Sequence, residues 1–420
     1  MKPLLTLALK SAWNRRYTLG LTMIAVALSV TLLLGIERLR HDAHEGFAQS
    51  VSGTDLVIGP RSSPIQLLLY AVFHLGEATN NMDWSSVQAI AQNPEVAWVI
   101  PLSLGDSHKG FPVLATNSDY FKYFHYGDHH PLVLAEGKPF SDLYDAVLGA
   151  DVAQKLHYKL GDRIILSHGL SGSHLTQHKD KPFTVVGILA RTGTPVDRTV
   201  HISLQAMEAI HLDWQAGAPI PGFAIPPQFA KKFDLTPKTV TAMLVGLKSR
   251  IAVFSLQREI ASFQAEPLMA ILPGVALDQL WNLMGVAERV LLAVSGLVVA
   301  VSLAGLVAVV LAGLNERRRE LAILRSVGAG PRHLVFLLTL EGMAVTVAGA
   351  VVGVLLLTLL SATLGSWAEL HYGVVVRVAL PSPEEWQLLG AVVGVGTLAS
   401  LLPGLRAYRM ALADGLTPRV

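Results

Sequence analysis

The chain has no cysteine, which excludes disulfide staples, thiolate metal sites and thiol redox chemistry. A fold of this size does not need such staples, because a hydrophobic core suffices. Charge is also scarce: Asp, Glu, Lys and Arg make up 15% of 420 residues, against about 25% in soluble domains. No P-loop is present. Cradling a nucleotide phosphate takes Gly-x-x-x-x-Gly-Lys-Ser/Thr, and the nearest look-alike, Gly246-Leu-Lys-Ser249, lacks the first glycine. The chain is therefore not expected to hydrolyse ATP by itself, and no Ser/His/Asp arrangement stands out as catalytic. The net charge of +2 gives no footprint for nucleic acid, since the basic residues gather at the ends of apolar runs.

Those runs dominate the sequence. A bilayer core is crossed by about 20 apolar residues in a helix, and four windows reach that length: residues 17–36, 286–314, 334–367 and 386–405. The third contains one acid, Glu341, an intramembrane carboxylate of the kind that faces protein or water and often has a function. The first run is longer than the apolar part of a signal peptide and has no convincing cleavage site, so it is expected to stay as an anchor. Lys2, Lys10, Arg15 and Arg16 precede it; Arg317, Arg318, Arg319, Arg325 and Arg332 lie between the second and third runs; Arg406, Arg409 and Arg419 follow the fourth. Residues 368–385 carry only Arg377. By the positive-inside rule, segments 1–16, 315–333 and 406–420 are cytoplasmic. Segments 37–285 and 368–385 are then extracytoplasmic, and a bacterial inner membrane is the expected host. The fold class expected is an α-helical membrane protein with four transmembrane helices and a large mixed α/β domain between helices 1 and 2.

Within that domain, β-like runs appear at 55–58, 96–101, 111–115, 163–167, 183–189, 200–203 and 240–247. Helical patterns fall at 83–92, starting from an Asp83 cap, and at 204–211. Residues 64–75 are strongly apolar yet too short to span, which leaves a core helix or a surface helix touching lipid. Residues 215–238 carry Pro219, Pro221, Pro226, Pro227 and Pro237 and read as an irregular loop. Helical extensions at 37–51 and 277–289 suit stalks at both ends of the domain.

Histidine is plentiful. Thirteen of the fifteen fall between His41 and His211. His129, His130, His168, His174 and His178 are the candidate metal ligands, with zinc the candidate ion. No HxH or HExxH pattern appears, and a zinc site needs four converging donors. The fourth would come from among these or from an acidic residue elsewhere in the fold. Ordinary surface or core histidines are the default reading, and metal stays outside the main expectation. In the apolar runs, the pairs Gly349/Gly353 and Gly390/Gly394 permit close helix packing, within a subunit or across a dimer.

Residues 316–330, Glu-Arg-Arg-Arg-Glu-Leu-Ala-Ile-Leu-Arg-Ser-Val-Gly-Ala-Gly, are charge-dense, then amphipathic, and stop at a glycine-proline break. This segment resembles the cytoplasmic loop of permease subunits in the FtsX/MacB/LolC-like group of ABC transporters. Glu341-Gly342 with Gly349 and Gly353, and Pro403-Gly-Leu-Arg-Ala-Tyr-Arg409, resemble the same group. Residues 148–163 and 183–189 are similar to its MacB-like periplasmic core. The resemblance covers roughly the whole chain, and it rests on order and layout more than on any one motif. It implies a permease whose motion is driven by two copies of a separate ATPase, which binds ATP and Mg. Glu316, Arg317, Arg319, Glu320, Arg325 and Gly328 would form the coupling contact. It further implies a second permease copy, as a homodimer, and a periplasmic adaptor or substrate protein as partner. Two other readings stay open: an activating scaffold for a periplasmic hydrolase or sensor, and a zinc-handling transporter component.

Overall fold

A computed structural model describes residues 15–50, 52–76, 80–169, 177–215, 218–220, 225–316, 323, 326, 329–372 and 378–409. The chain divides into two compact units, residues 1–43 with 285–420, and residues 44–284.

Among the described residues, four helices are long and apolar enough to cross a membrane. They run Arg16–Gln49, Pro273–Glu316, Pro331–Tyr372 and Pro383–Arg409. Three begin on proline, which costs nothing at a first turn whose N–H groups are unpaired anyway. Lipid cannot satisfy backbone polar groups, so apolar runs of this length fold as helices. The first helix turns Leu21, Ile24, Leu28 and Leu32 outward and buries Val26, Val30, Leu33 and Leu34. Against that buried stripe lie Gly349 and Gly353 of the third helix. A Cβ at Gly349 would sit 2.8 Å from Val26, and one at Gly353 would sit 2.8 Å from the Ala27 carbonyl. Thr31 Oγ1 donates to the Gly353 carbonyl at 3.1 Å, a bond that only such a close approach allows. Gly390 and Gly394 differ: a Cβ at either meets nothing within 4 Å among the described residues. The third and fourth helices meet instead through Gly396 on Thr346 and Gly342 on Ser400.

Among the described residues, the second unit is built on a mixed sheet of eleven strands. Its main path runs Leu268–Ile271, Leu56–Pro60, Ala242–Leu247, Val96–His108, Phe111–Thr116, Val200–Ser203, Asp145–Leu148, Phe183–Leu189, Leu134–Gly137. Alternate residues of a strand point to opposite faces, and both faces are buried. Leu56, Ile58, Val113, Ala115, Met243 and Val245 join one apolar cluster. Val57, Leu114 and Leu244 join the other. Helices Trp84–Ala91, Ala150–Leu156, Leu204–His211 and Val253–Ala261 contribute to the first cluster. Helix Pro64–Ala71 contributes Leu67, Leu68 and Tyr70 to the second, so the apolar stretch at 64–75 is a core helix.

Three local expectations need correction. Asp83 occupies the cap position of its helix, but its side chain makes no capping bond; its backbone N–H donates to Glu266 Oε1 at 3.0 Å. The run at 163–167 is two short strands, because the chain changes partner within it. Arg163–Ile164 pairs with Phe183–Leu189, and Ser167–His168 pairs with Val96–His108. The run at 240–247 divides in the same way, with Thr239–Val240 on Met82–Asp83 and Ala242–Leu247 in the main sheet. The proline-rich segment holds the small hairpin Trp214–Gln215 with Ala218–Pro219 and the one-turn helix Pro227–Ala230.

Candidate functional site

The long strand Val96–His108 shifts register against Phe111–Thr116 between Leu104 and Asp106. A bulge of this kind re-aims the side chains beside it. Ser167–His168 then pairs with the end of that strand, Ser167 opposite Ser107 and His168 opposite Asp106. Opposed residues of an antiparallel pair stand on one face, so backbone register alone sets His168 beside Asp106. Gln177 bridges back to Ser167, and the His178 N–H donates to the Leu166 carbonyl at 2.9 Å. The third histidine closes helix Leu204–His211. That helix starts on Ser203, whose Oγ accepts from the Ala206 N–H at 3.1 Å.

Asp106, His168, His178 and His211 each offer a ligand atom, and these atoms all lie within 4.8 Å of one another. His168 Nδ1 is 3.1 Å from Asp106 Oδ1, and His211 Nε2 is 3.6 Å from the same oxygen. His178 Nε2 is 3.4 Å from Oδ2. The two ring nitrogens His168 Nδ1 and His211 Nε2 are 3.2 Å apart. Asp106 and His178 are fully buried, with 1% and 0% of the side chain exposed, whereas His168 and His211 reach solvent. Trp214 lies over His178 with ring centroids 4.1 Å apart. Burial works to raise the Asp106 carboxyl, but the contacts from His168, His178 and His211 outweigh it and hold the group well below the usual carboxylate range. Burial likewise works to lower His211, while the Asp106 carboxylate and the Met207 carbonyl raise it on balance.

The segments that carry these groups are pinned from behind. Lys181, fully buried, pairs with Asp213, and Asp213 Oδ2 accepts from the Ile225 N–H at 2.9 Å. This ion pair joins the residues after His178 to those after His211.

His168 and His178, both expected from sequence, are thus brought together. His174 lies outside the described residues. His129 and His130 do not join the cluster: they sit in and beside the small Tyr126–His130 pairing, where the His129 N–H donates to Ser52 Oγ at 3.2 Å. Asp106 and His211 were not singled out as ligands, because neither is near the others in sequence. Elsewhere histidines do ordinary structural duty. His108 Nδ1 donates to the Ile165 carbonyl at 2.7 Å, and His125 Nδ1 donates to the Tyr123 carbonyl at 2.8 Å.

In the helical unit, Glu341 forms an ion pair with Arg15, so this intramembrane carboxylate faces a charged partner within its own chain. Of the expected coupling residues, Glu316 is the last residue of the second long helix. Arg317, Arg319, Glu320, Arg325 and Gly328 lie outside the described residues.

Two family models match the chain. The MacB-like periplasmic core domain covers residues 19–262, and the FtsX-like permease C-terminal domain covers residues 292–412. The chain belongs to the FtsX/MacB family of ABC transporter permeases. Its members are membrane proteins that work with ABC ATPase partners and are not themselves enzymes. Among solved structures, the periplasmic region of MacB from Actinobacillus actinomycetemcomitans is similar at 12% identity, covering 59% of this chain and 98% of that one, with a TM-score of 0.34. The extracellular domain of the noncanonic ABC-type transporter YknZ from Gram-positive bacteria is similar at 13% identity, covering 51% and 98%, with a TM-score of 0.30. No curated protein matches.

Proposed function

We propose that the chain is the permease subunit of a bacterial inner-membrane transporter in which a separate ATPase, binding ATP and Mg, drives movement of residues 44–284 in the periplasm. Both termini lie in the cytoplasm, two ATPase copies act on a permease homodimer, and the work done is extraction or export of a lipidic, peptide or drug-like substrate. Family membership supports this reading, and one helix carries it further. Pro273–Glu316 is a single unbroken helix of 44 residues, about 66 Å long at 1.5 Å per residue, which exceeds the roughly 30 Å of a bilayer core. Glu316 at one end borders the charged loop; Ala276 and Leu277 near the other are buried in the sheet unit's core. This continuous helix is the element through which displacement would pass. At its far end, His44 of the first long helix stacks on Trp281 of the second, with centroids 3.6 Å apart and planes at 16°.

The test is charge reversal at the loop. Glu316→Lys with Glu320→Lys should abolish co-purification with the partner ATPase, while the permease accumulates normally. Undiminished co-purification would overturn the coupling assignment.

A further inference from the structure

We propose that Asp106, His168, His178 and His211 form a binding site for one zinc ion. The argument is geometric. In tetrahedral zinc the bonds to nitrogen and oxygen are about 2.0–2.2 Å, so neighbouring donor atoms stand about 3.3 Å apart. The separations of 3.1, 3.4 and 3.6 Å from the histidines to one or other Asp106 oxygen, and of 3.2 Å between His168 and His211, lie near that edge length, and the four ligand atoms all lie within 4.8 Å of one another.

Hydrogen bonds from His168 Nδ1, to Asp106 Oδ1 at 3.1 Å or to His211 Nε2 at 3.2 Å, account for only part of the cluster. His211 Nδ1 donates to the Met207 carbonyl at 2.8 Å. With Nδ1 committed to that carbonyl, Nε2 is the ring nitrogen turned toward Asp106 and His168. His178 Nε2 and Asp106 Oδ2 are both buried, and neither has a hydrogen-bond partner among the described residues. Buried polar atoms of this kind are rare without a partner, and a shared cation satisfies both. The supporting bonds are those expected behind a metal site: a carbonyl orients His211, and the Lys181–Asp213 pair holds the two segments in place. The donor set selects the ion. Three imidazoles and one carboxylate suit zinc and its first-row neighbours, whereas calcium and magnesium take six or more oxygens. An entry path exists, because His168 and His211 are half-exposed while Trp214 closes the side of His178. This site stands apart from the transport reading and does not depend on it.

The experiment uses the full-length chain in detergent, stripped with a chelator and titrated with zinc and with cobalt. One equivalent of cobalt should bind and give the intense visible absorption of a tetrahedral centre, and zinc should displace it. The half-exposed pair His168→Ala and His211→Ala should weaken binding by on the order of 100-fold or more, with the circular dichroism spectrum unchanged. His129→Ala with His130→Ala should bind as the wild type does. Weak, nonstoichiometric uptake by the wild-type chain would overturn the site. So would equal uptake by the His168/His211 variant.

Discussion

Arg38 and Glu385 form a two-pronged ion pair in which Nε and Nη2 each donate at 3.0 Å to separate carboxylate oxygens. The guanidinium fork matches the carboxylate in plane and spacing. Arg38 lies on the first long helix and Glu385 in the first turn of the fourth, and both are buried. Ser382 adds to the junction: its backbone N–H donates to Glu385 Oε2 at 2.9 Å. Removing one partner strands the other, and an unpaired buried charge costs about 3–5 kcal/mol. Arg38→Ala should therefore lower the thermal unfolding midpoint of the detergent-purified chain. The double variant Arg38→Met/Glu385→Gln should recover much of the loss. An equal loss in both would assign the effect to packing rather than charge.

Lys181→Met makes the same argument in the sheet unit. It leaves Asp213 buried opposite a methyl group, with a penalty of about 3–5 kcal/mol. It should also loosen the segments bearing His178 and His211. Hydrogen exchange should rise in residues 177–181 and 204–215 and stay unchanged in strand Leu56–Pro60.

The glycine pairs should part company. Gly353→Leu places a large side chain where the Ala27 carbonyl and Val30 already stand, and should sharply reduce recovery of folded chain from membranes. Gly390→Leu with Gly394→Leu meets open space within the chain. The double variant should accumulate normally, and any change in cross-linked dimer would then report contact between subunits.

His201 makes the sheet unit sensitive to acid. Its ring is fully buried beside Tyr120, and Nδ1 donates to the Val147 carbonyl. Burial pushes the imidazole down from 6.5 to about 3. The unfolded chain takes up the proton first, so stability is complete above about pH 6.5 and drains away as pH falls below it. Between pH 6.5 and 4 the loss from this one group is roughly 3 kcal/mol, at 1.36 kcal/mol per pKa unit. His201→Phe should shrink the drop in unfolding midpoint over that interval. An unchanged drop would place the acid sensitivity elsewhere.

Membrane sidedness is tested by reporter fusions. Fusions at residues 120 and 375 should read outside and one at 325 inside, as the Lys/Arg distribution requires. A single reversed reading would break the proposed topology.

The sequence by itself determined the elements whose cause is local. Length and unbroken apolarity place the four long helices, because a segment that cannot bond to lipid must bond to itself. Alternation in Phe183–Leu189 and Val200–Ser203 marks strands that the structure reproduces to the residue. What pairs with what was a different matter. The chain changes strand partner between Ile164 and Ser167, so one β-like run became two. Gly349 and Gly390 sit in similar small-residue spacings, yet only the first is packed, because which face of a helix meets a neighbour depends on the whole bundle. The cluster around Asp106 shows the limit best. His168 and His178 could be suspected from composition, but Asp106 and His211 join them only through a bulge, a two-residue register and a helix end. Those are long-range choices, set by which packing buries both faces of the sheet, and no window of the sequence contains them.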